Sequence, residues 1–271
     1  MSFTVFEILC VVVVVGKIAA MARTKPVRAL LIDYAALAVA AWIGEETCVA
    51  LYRFYAYADG WHLRLDRVPL LVPLIWPLVV LSARDVAAIV APRGSPIVRA
   101  LVAGAIVAFD ASLVEVVAVR AKLWSWSEPG HLGVPLIGIL GWGHFAAGAL
   151  APKRRAWTLV TGPLVAHALI QLSWWGLFRF ALRGDLGAFG FVIVALGASV
   201  FAVFAIRARR AGHLMTPAVW SPRVLAALLF VGLLVWTAPR DVGLWLHTAL
   251  VAIPYLVITS AHGWHKSARE I

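Results

Sequence analysis

Apolar runs of roughly twenty residues recur along the chain, and the short stretches between them hold most of its charge. About 20 apolar residues cross the hydrocarbon of a bilayer, and nine runs qualify: 3 to 22, 29 to 52, 68 to 91, 97 to 119, 132 to 151, 157 to 181, 187 to 206, 223 to 238 and 241 to 261. The connections are too short for a separate soluble domain. The pattern therefore predicts one all-α, polytopic integral membrane helix bundle over residues 1 to 271, with about eight or nine transmembrane helices. The eighth run is the shortest, and a merger there lowers the count.

Composition agrees with the pattern: 63% of residues are hydrophobic and 14% charged, far from the balance of a soluble domain. Charge then orients the bundle, because cytoplasmic loops hold an excess of Lys and Arg. One set of alternate loops carries Arg23, Lys25, Arg28, Arg93, Arg99, Lys153, Arg154, Arg155, Arg207, Arg209, Arg210, Arg223, Lys266 and Arg269, fourteen in all, and the other set carries eight. This places the N-terminus outside and the C-terminus in the cytoplasm, in a bacterial inner membrane. The net charge of +11 reads as topology signal and contact with anionic membrane lipids, and no nucleic-acid partner is expected. Cys10 and Cys48 fall inside apolar runs and read as small packing residues.

Acids interrupt this apolar pattern. The stretch AWIGEETCVALY places Glu45 and Glu46 side by side in the second run, and Asp110 and Glu115 lie in the fourth. Both runs cross in the same direction, so all four acids are expected in the outer half of the membrane. A carboxylate near the bilayer centre costs about 2.5 to 3.5 kcal/mol, which makes each a functional candidate, although a buried carboxylate satisfied by a hydrogen bond or an arginine is as common. Self-comparison finds a repeat around them. VPLLVPLIW and VPLIGILGW each place a tryptophan seven residues after the first proline, at Pro69 to Trp76 and Pro135 to Trp142. An aromatic loop precedes each, and an acid-bearing helix precedes each loop. The predicted unit is a helical hairpin occurring twice, near 29 to 91 and 97 to 151.

Adjacent carboxyl groups in a low dielectric do not readily both ionise, so one is expected to keep its proton. Such an acid, shielded from water, suits protonation of an isolated carbon-carbon double bond. The resulting carbocation is stabilised by aromatic faces, at about 0.5 to 2 kcal/mol each. The candidate acids are Glu45, Glu46, Asp110 and Glu115, with Glu46→Gln expected to abolish product formation. Trp42, one turn before the glutamates, together with Trp76, Trp124, Trp126, Trp142 and Trp174, are candidate substrate contacts; for Trp124 and Trp126 the interfacial aromatic belt competes. His167 and Gln171, four apart on the sixth helix, are candidates to line the same space and position water. The remaining histidines are scattered, with only His262 and His265 near each other, and neither a metal site nor a nucleotide-binding loop is expected, hence no cofactor. Asp33, Arg84 and Asp85 read as structural groups of the inner side.

The run DASLVEVVAVRAKLWSWSEPGHLGVPLIGILGW resembles the signature of a membrane carotenoid-biosynthesis family that includes the bacterioruberin and myxoxanthophyll carotenoid hydratases, through Glu115, Trp124, Trp126, Gly133, Pro135, Gly141 and Trp142. EETCVALYRFYAYADGWHLRLDRVPLLVPLIW is similar to the family's other block, through its acids, Tyr55, Tyr57, Val68 and Pro69. The likeness covers about residues 40 to 150. It implies cofactor-free addition of water to the terminal double bond of an acyclic carotenoid, with Glu45 or Glu46 as acid, Glu115 or Asp110 handling water or its proton, and the two tyrosines beside the substrate. The partners expected are a lipid-soluble isoprenoid, membrane lipids and other pigment-pathway enzymes. Three alternatives stay open: a cyclase using the same protonation, a proton-coupled transporter, and a scaffold for a pigment complex.

Overall fold

The computed structural model describes residues 3–23, 26–152, 157–213 and 215–259. Lys25, Lys153, Arg154, Arg155, His262, His265, Lys266 and Arg269 lie outside the described residues. The helices are α1 (Phe3–Ala22), α2 (Val27–Glu46), α3 (Leu71–Val90), α4 (Pro96–Arg120), α5 (Leu136–Leu150), α6 (Thr158–Ile170), α7 (Arg179–Ala181), α8 (Gly187–Arg210), α9 (Pro217–Thr237) and α10 (Val242–Thr259). The fold is all-α, and among the described residues six segments are long and apolar enough to cross a membrane: Phe3–Ala22, Val27–Tyr52, Leu71–Val90, Pro96–Arg120, Gly187–Arg210 and Val219–Thr237. Leu136–Leu150 and Val242–Ile258 are shorter apolar helices. The fifth predicted span is shortened because its first residues form a turn around Gly133, whose φ is +86°.

Local signals set the helix boundaries. Ser95 caps α4, its hydroxyl accepting from the Val98 amide at 3.3 Å, and Pro96 follows at the first helical position, where a missing N–H costs nothing. After Glu46 the helix widens into a π-helical segment, Thr47–Tyr52, and Arg53, at φ +54°, turns the chain sharply. Such π segments recur at functional sites because they re-aim side chains. A second one, Gln171–Phe178, continues α6.

Four short strands among the described residues were not foreseen. β1 (Tyr55–Tyr57) follows the second helix and β4 (Trp124–Trp126) follows α4, and the two pair antiparallel with Tyr55 opposite Trp126 and Tyr57 opposite Trp124. β2 (Arg64–Leu65) and β3 (Val68–Pro69) form a small hairpin leading into α3. The aromatic loops thus become a pair of strands lying across one end of the bundle.

The main core joins α2, α3, α4, α5 and α6 through Trp76, Val80, Ala103, Val107, Phe145 and Ala166. The contact of α4 with α5 is close because small residues meet: a Cβ on Gly104 would lie 2.6 Å from the Gly143 carbonyl oxygen, and one on Gly143 2.8 Å from that of Gly104. With Ala108 and Ala147 four residues on, each helix carries the small-xxx-small spacing that lets membrane helices approach. Large apolar side chains such as Ile8, Val12, Leu196, Val200, Leu225 and Trp236 point outward from α1, α8 and α9, where a bilayer would cover them.

Candidate active site

Beneath the β1 and β4 pair lies an apolar cavity of about 500 Å³ whose wall includes Glu45, Asp110 and Glu115. Each glutamate is held by three aromatic donors. Glu45 Oε2 accepts from the Tyr55 hydroxyl and, at 2.7 Å, from the Tyr57 hydroxyl, while its Oε1 accepts from Trp76 Nε1 at 2.8 Å. Glu115 Oε2 accepts from Trp124 Nε1 at 2.8 Å and Trp126 Nε1 at 2.9 Å, while its Oε1 accepts from Trp142 Nε1 at 2.8 Å. In both sites a helix end supplies the carboxylate, the following strand supplies two donors from alternate residues, and the next long helix supplies the third.

Period-two geometry explains the strand donors. Alternate residues of a strand share a face, so Tyr55 and Tyr57 turn the same way, as do Trp124 and Trp126. Antiparallel pairing then brings both sets together over the two glutamates: the Tyr55 and Trp126 ring centroids are 4.7 Å apart, those of Tyr57 and Trp124 5.9 Å. Trp76 and Trp142 meet beneath them at 4.5 Å. Gly138 makes this packing possible, since a Cβ there would lie 2.5 Å from the Trp126 ring. Burial, with the Glu45 carboxylate beside them, pushes the Tyr55 and Tyr57 phenols far above their usual range, so both remain protonated donors.

The expected residues divide. Glu45, Asp110, Glu115, Tyr55, Tyr57, Trp76, Trp124, Trp126, Trp142 and His167 all line the cavity. Glu46 is not among its lining residues: successive helical residues diverge by about 100°, and Glu46 instead accepts the Arg67 amide at 3.2 Å and lies 3.6 Å from the Arg67 guanidinium. The adjacent acids are therefore not a pair facing one space. Trp42 is likewise outside the lining, its Nε1 donating to the Leu65 carbonyl at 3.2 Å. Gln171 is exposed and Trp174 is fully buried against Phe54, Ile137 and Ile170, neither reaching the cavity.

Several lining residues went unrecognised in the sequence. Arg223 was counted as a loop cation, yet it lies in the second turn of α9, paired with Asp110 at 2.6 Å. The Thr216-Pro217 start signal could have placed it inside a helix. Tyr255 joins the same cluster, and Trp61, packed edge-on against Tyr57, completes the wall. His167 lines the cavity with both ring nitrogens buried and without a hydrogen-bond partner. Among the described residues no group of three or more His, Cys, Asp or Glu side chains is placed to hold a metal ion.

In comparisons with known proteins, a family model described as carotenoid biosynthesis protein matches residues 2–206, most of the chain. No curated protein and no solved structure matches.

Proposed function

The chain belongs to the carotenoid biosynthesis protein family, and from that premise we propose that it adds water, without a cofactor, to the terminal carbon-carbon double bond of an acyclic carotenoid. The observation that carries this reading is the pair of carboxyl groups, each ringed by three aromatic donors, in the wall of one apolar cavity.

Glu45 is the proton donor in this scheme. A carboxylic acid whose Oε2 already accepts two hydrogen bonds and whose Oε1 accepts one has a single position left for its own proton, on Oε1 and away from the donors. The alkene takes that proton, and the positive charge develops on the more substituted carbon, among the faces of Trp76, Trp142 and Tyr57. Glu115 keeps one protonation state through the step, because the indole N–H groups around it donate only and cannot relay a proton. Water held by the unpartnered ring of His167 adds to the cation, and the proton it releases restores Glu45. The step consumes one alkene and one water with no net proton. His167 favours hydration over cyclisation, since an imidazole offers one donor and one acceptor to a water in an otherwise apolar space.

The two glutamate sites are read as copies of one helical hairpin unit related by a two-fold axis along the membrane normal. The excess of Lys and Arg in one set of loops, which remains after Arg223 is removed from the count, supports an N-terminus outside and a C-terminus in the cytoplasm of a bacterial inner membrane. Arg84 and Asp85 pair with each other at 3.0 Å and do not line the cavity, which counts against a polar file for proton-coupled transport. Coexpression with a lycopene-producing pathway, followed by mass spectrometry of the pigments, is expected to reveal a product heavier by one water. A new pigment of unchanged mass would transfer the assignment to cyclisation, and no new pigment would overturn it.

A further inference from the structure

One buried charged group lining the cavity takes no part in that scheme. Arg223 has a side chain only 12% exposed. Its Nη1 donates to Asp110 Oδ2 at 2.6 Å and to the Tyr255 hydroxyl at 2.9 Å, and the Tyr255 hydroxyl donates in turn to Asp110 Oδ1. The carboxylate oxygens and the phenol are thereby engaged within the cluster. Arg223 Nε is not, for it is buried without a hydrogen-bond partner. An ion pair in an apolar interior is costly to maintain, and a charged N–H left unsatisfied adds to that cost.

The unused capacity defines the ligand. A guanidinium N–H donates only, so whatever meets Nε is a hydrogen-bond acceptor. The charges of Arg223 and Asp110 cancel, so an anion such as a diphosphate gains no net attraction there. The neighbouring wall is apolar, with Met215, Trp220, Leu228 and Leu256, which suits a hydrocarbon body. We propose that Arg223, braced by Asp110 and Tyr255, is a second binding point of the cavity that takes a neutral oxygen acceptor, a hydroxyl, ether or keto oxygen, carried on the isoprenoid chain. Asp110 precedes Glu115 by five residues of α4, about 7.5 Å of helical rise, so this oxygen lies a short way along the chain from the reacting end. An isoprenoid already oxygenated by an earlier hydroxylating or hydrating step is then bound in preference to the parent hydrocarbon. The inference rests on the reading that an isoprenoid occupies this cavity; a lone water at Nε is the same acceptor chemistry from another source.

Binding, measured separately from turnover, distinguishes these. The full-length protein in lipid nanodiscs is titrated with an acyclic polyene hydrocarbon and with its hydroxylated counterpart, following quenching of tryptophan fluorescence. The wild type is expected to bind the hydroxylated polyene at least about fivefold more tightly, the scale of one net hydrogen bond. Asp110→Asn combined with Arg223→Met removes the charges together and is expected to bring that ratio near one while hydrocarbon binding persists. Arg223→Lys, which keeps the charge and loses the Nε donor, is expected to lower the ratio by itself and serves if the double variant does not fold. Equal affinities in the wild type, which leave Nε to water or packing, or an unchanged ratio in Arg223→Lys, would overturn the proposal. Quenching by neither polyene would overturn the isoprenoid reading itself.

Discussion

Glu45 and Glu115 occupy surroundings of the same shape and different chemistry. Each carboxylate takes two bonds from a following strand and one from the next long helix. Around Glu45 two of the three donors are tyrosine hydroxyls, and around Glu115 all three are indoles. A hydroxyl both donates and accepts, whereas an indole N–H only donates. The Glu45 site can rearrange its hydrogens as its charge changes, while the Glu115 site is committed to one pattern. The proposed division of roles, a mobile proton on Glu45 and an unchanging hydrogen-bond pattern at Glu115, rests on that contrast more than on the count of acids.

Substitution of each glutamate by its amide tests the contrast most strongly. Glu45→Gln is expected to lower turnover by about 10² to 10⁴, the range for a general acid, with little loss of folded protein, because a tyrosine hydroxyl can rotate to accept from the new amide NH2. Pigment yield beside the melting midpoint of purified protein checks both halves. Glu115→Gln is expected to cost stability as well, about 1 to 3 kcal/mol, because the amide NH2 meets indoles that cannot accept. Equal melting midpoints for the two variants would remove the proposed distinction.

Smaller effects sharpen it further. Gly138→Ala drives a methyl into the Trp126 ring, so it is expected to disturb first the Trp126 bond to Glu115, lowering turnover by about tenfold, the scale of 1.4 kcal/mol; loss of product without altered near-ultraviolet dichroism from tryptophan would contradict that route. Glu46→Gln is expected to change little, within about 0.5 kcal/mol in stability and with product retained, since its partner is the exposed Arg67. The sequence alone leads to the opposite expectation for Glu46. Loss of product in Glu46→Gln would return the catalytic role to the adjacent pair.

Much of the site was legible in advance because its parts recur in order. Acid, aromatic loop and a Val-Pro helix with tryptophan appear twice, and Glu45, Glu115, Trp76, Trp124, Trp126 and Trp142 were expected near one space from them, with Tyr55 and Tyr57 added by the family resemblance; the structure lines a cavity with all eight. Glu46 and Trp42 were misplaced for a local reason: with acids on consecutive residues, apolarity does not say which faces inward, and only the packing of α2 against α3 selects Glu45. Arg223 was hidden by the positive-inside count, which treats every arginine near a helix end as a loop residue. Its partner Asp110 is distant in sequence, and nothing local joins them.

By itself the sequence determined an apolar chain that must bury its backbone in helices, the boundaries that prolines and caps impose, and two acid and aromatic sets in equivalent order. Those properties depend on composition and short-range spacing. Tertiary structure decided which carboxylate meets which rings, through antiparallel pairing of two three-residue strands and the close approach of Gly104 to Gly143. Hydrogen bonds from Trp142 to Glu115 and from Arg223 to Asp110 join residues far apart along the chain, and such contacts exist only once helices have packed.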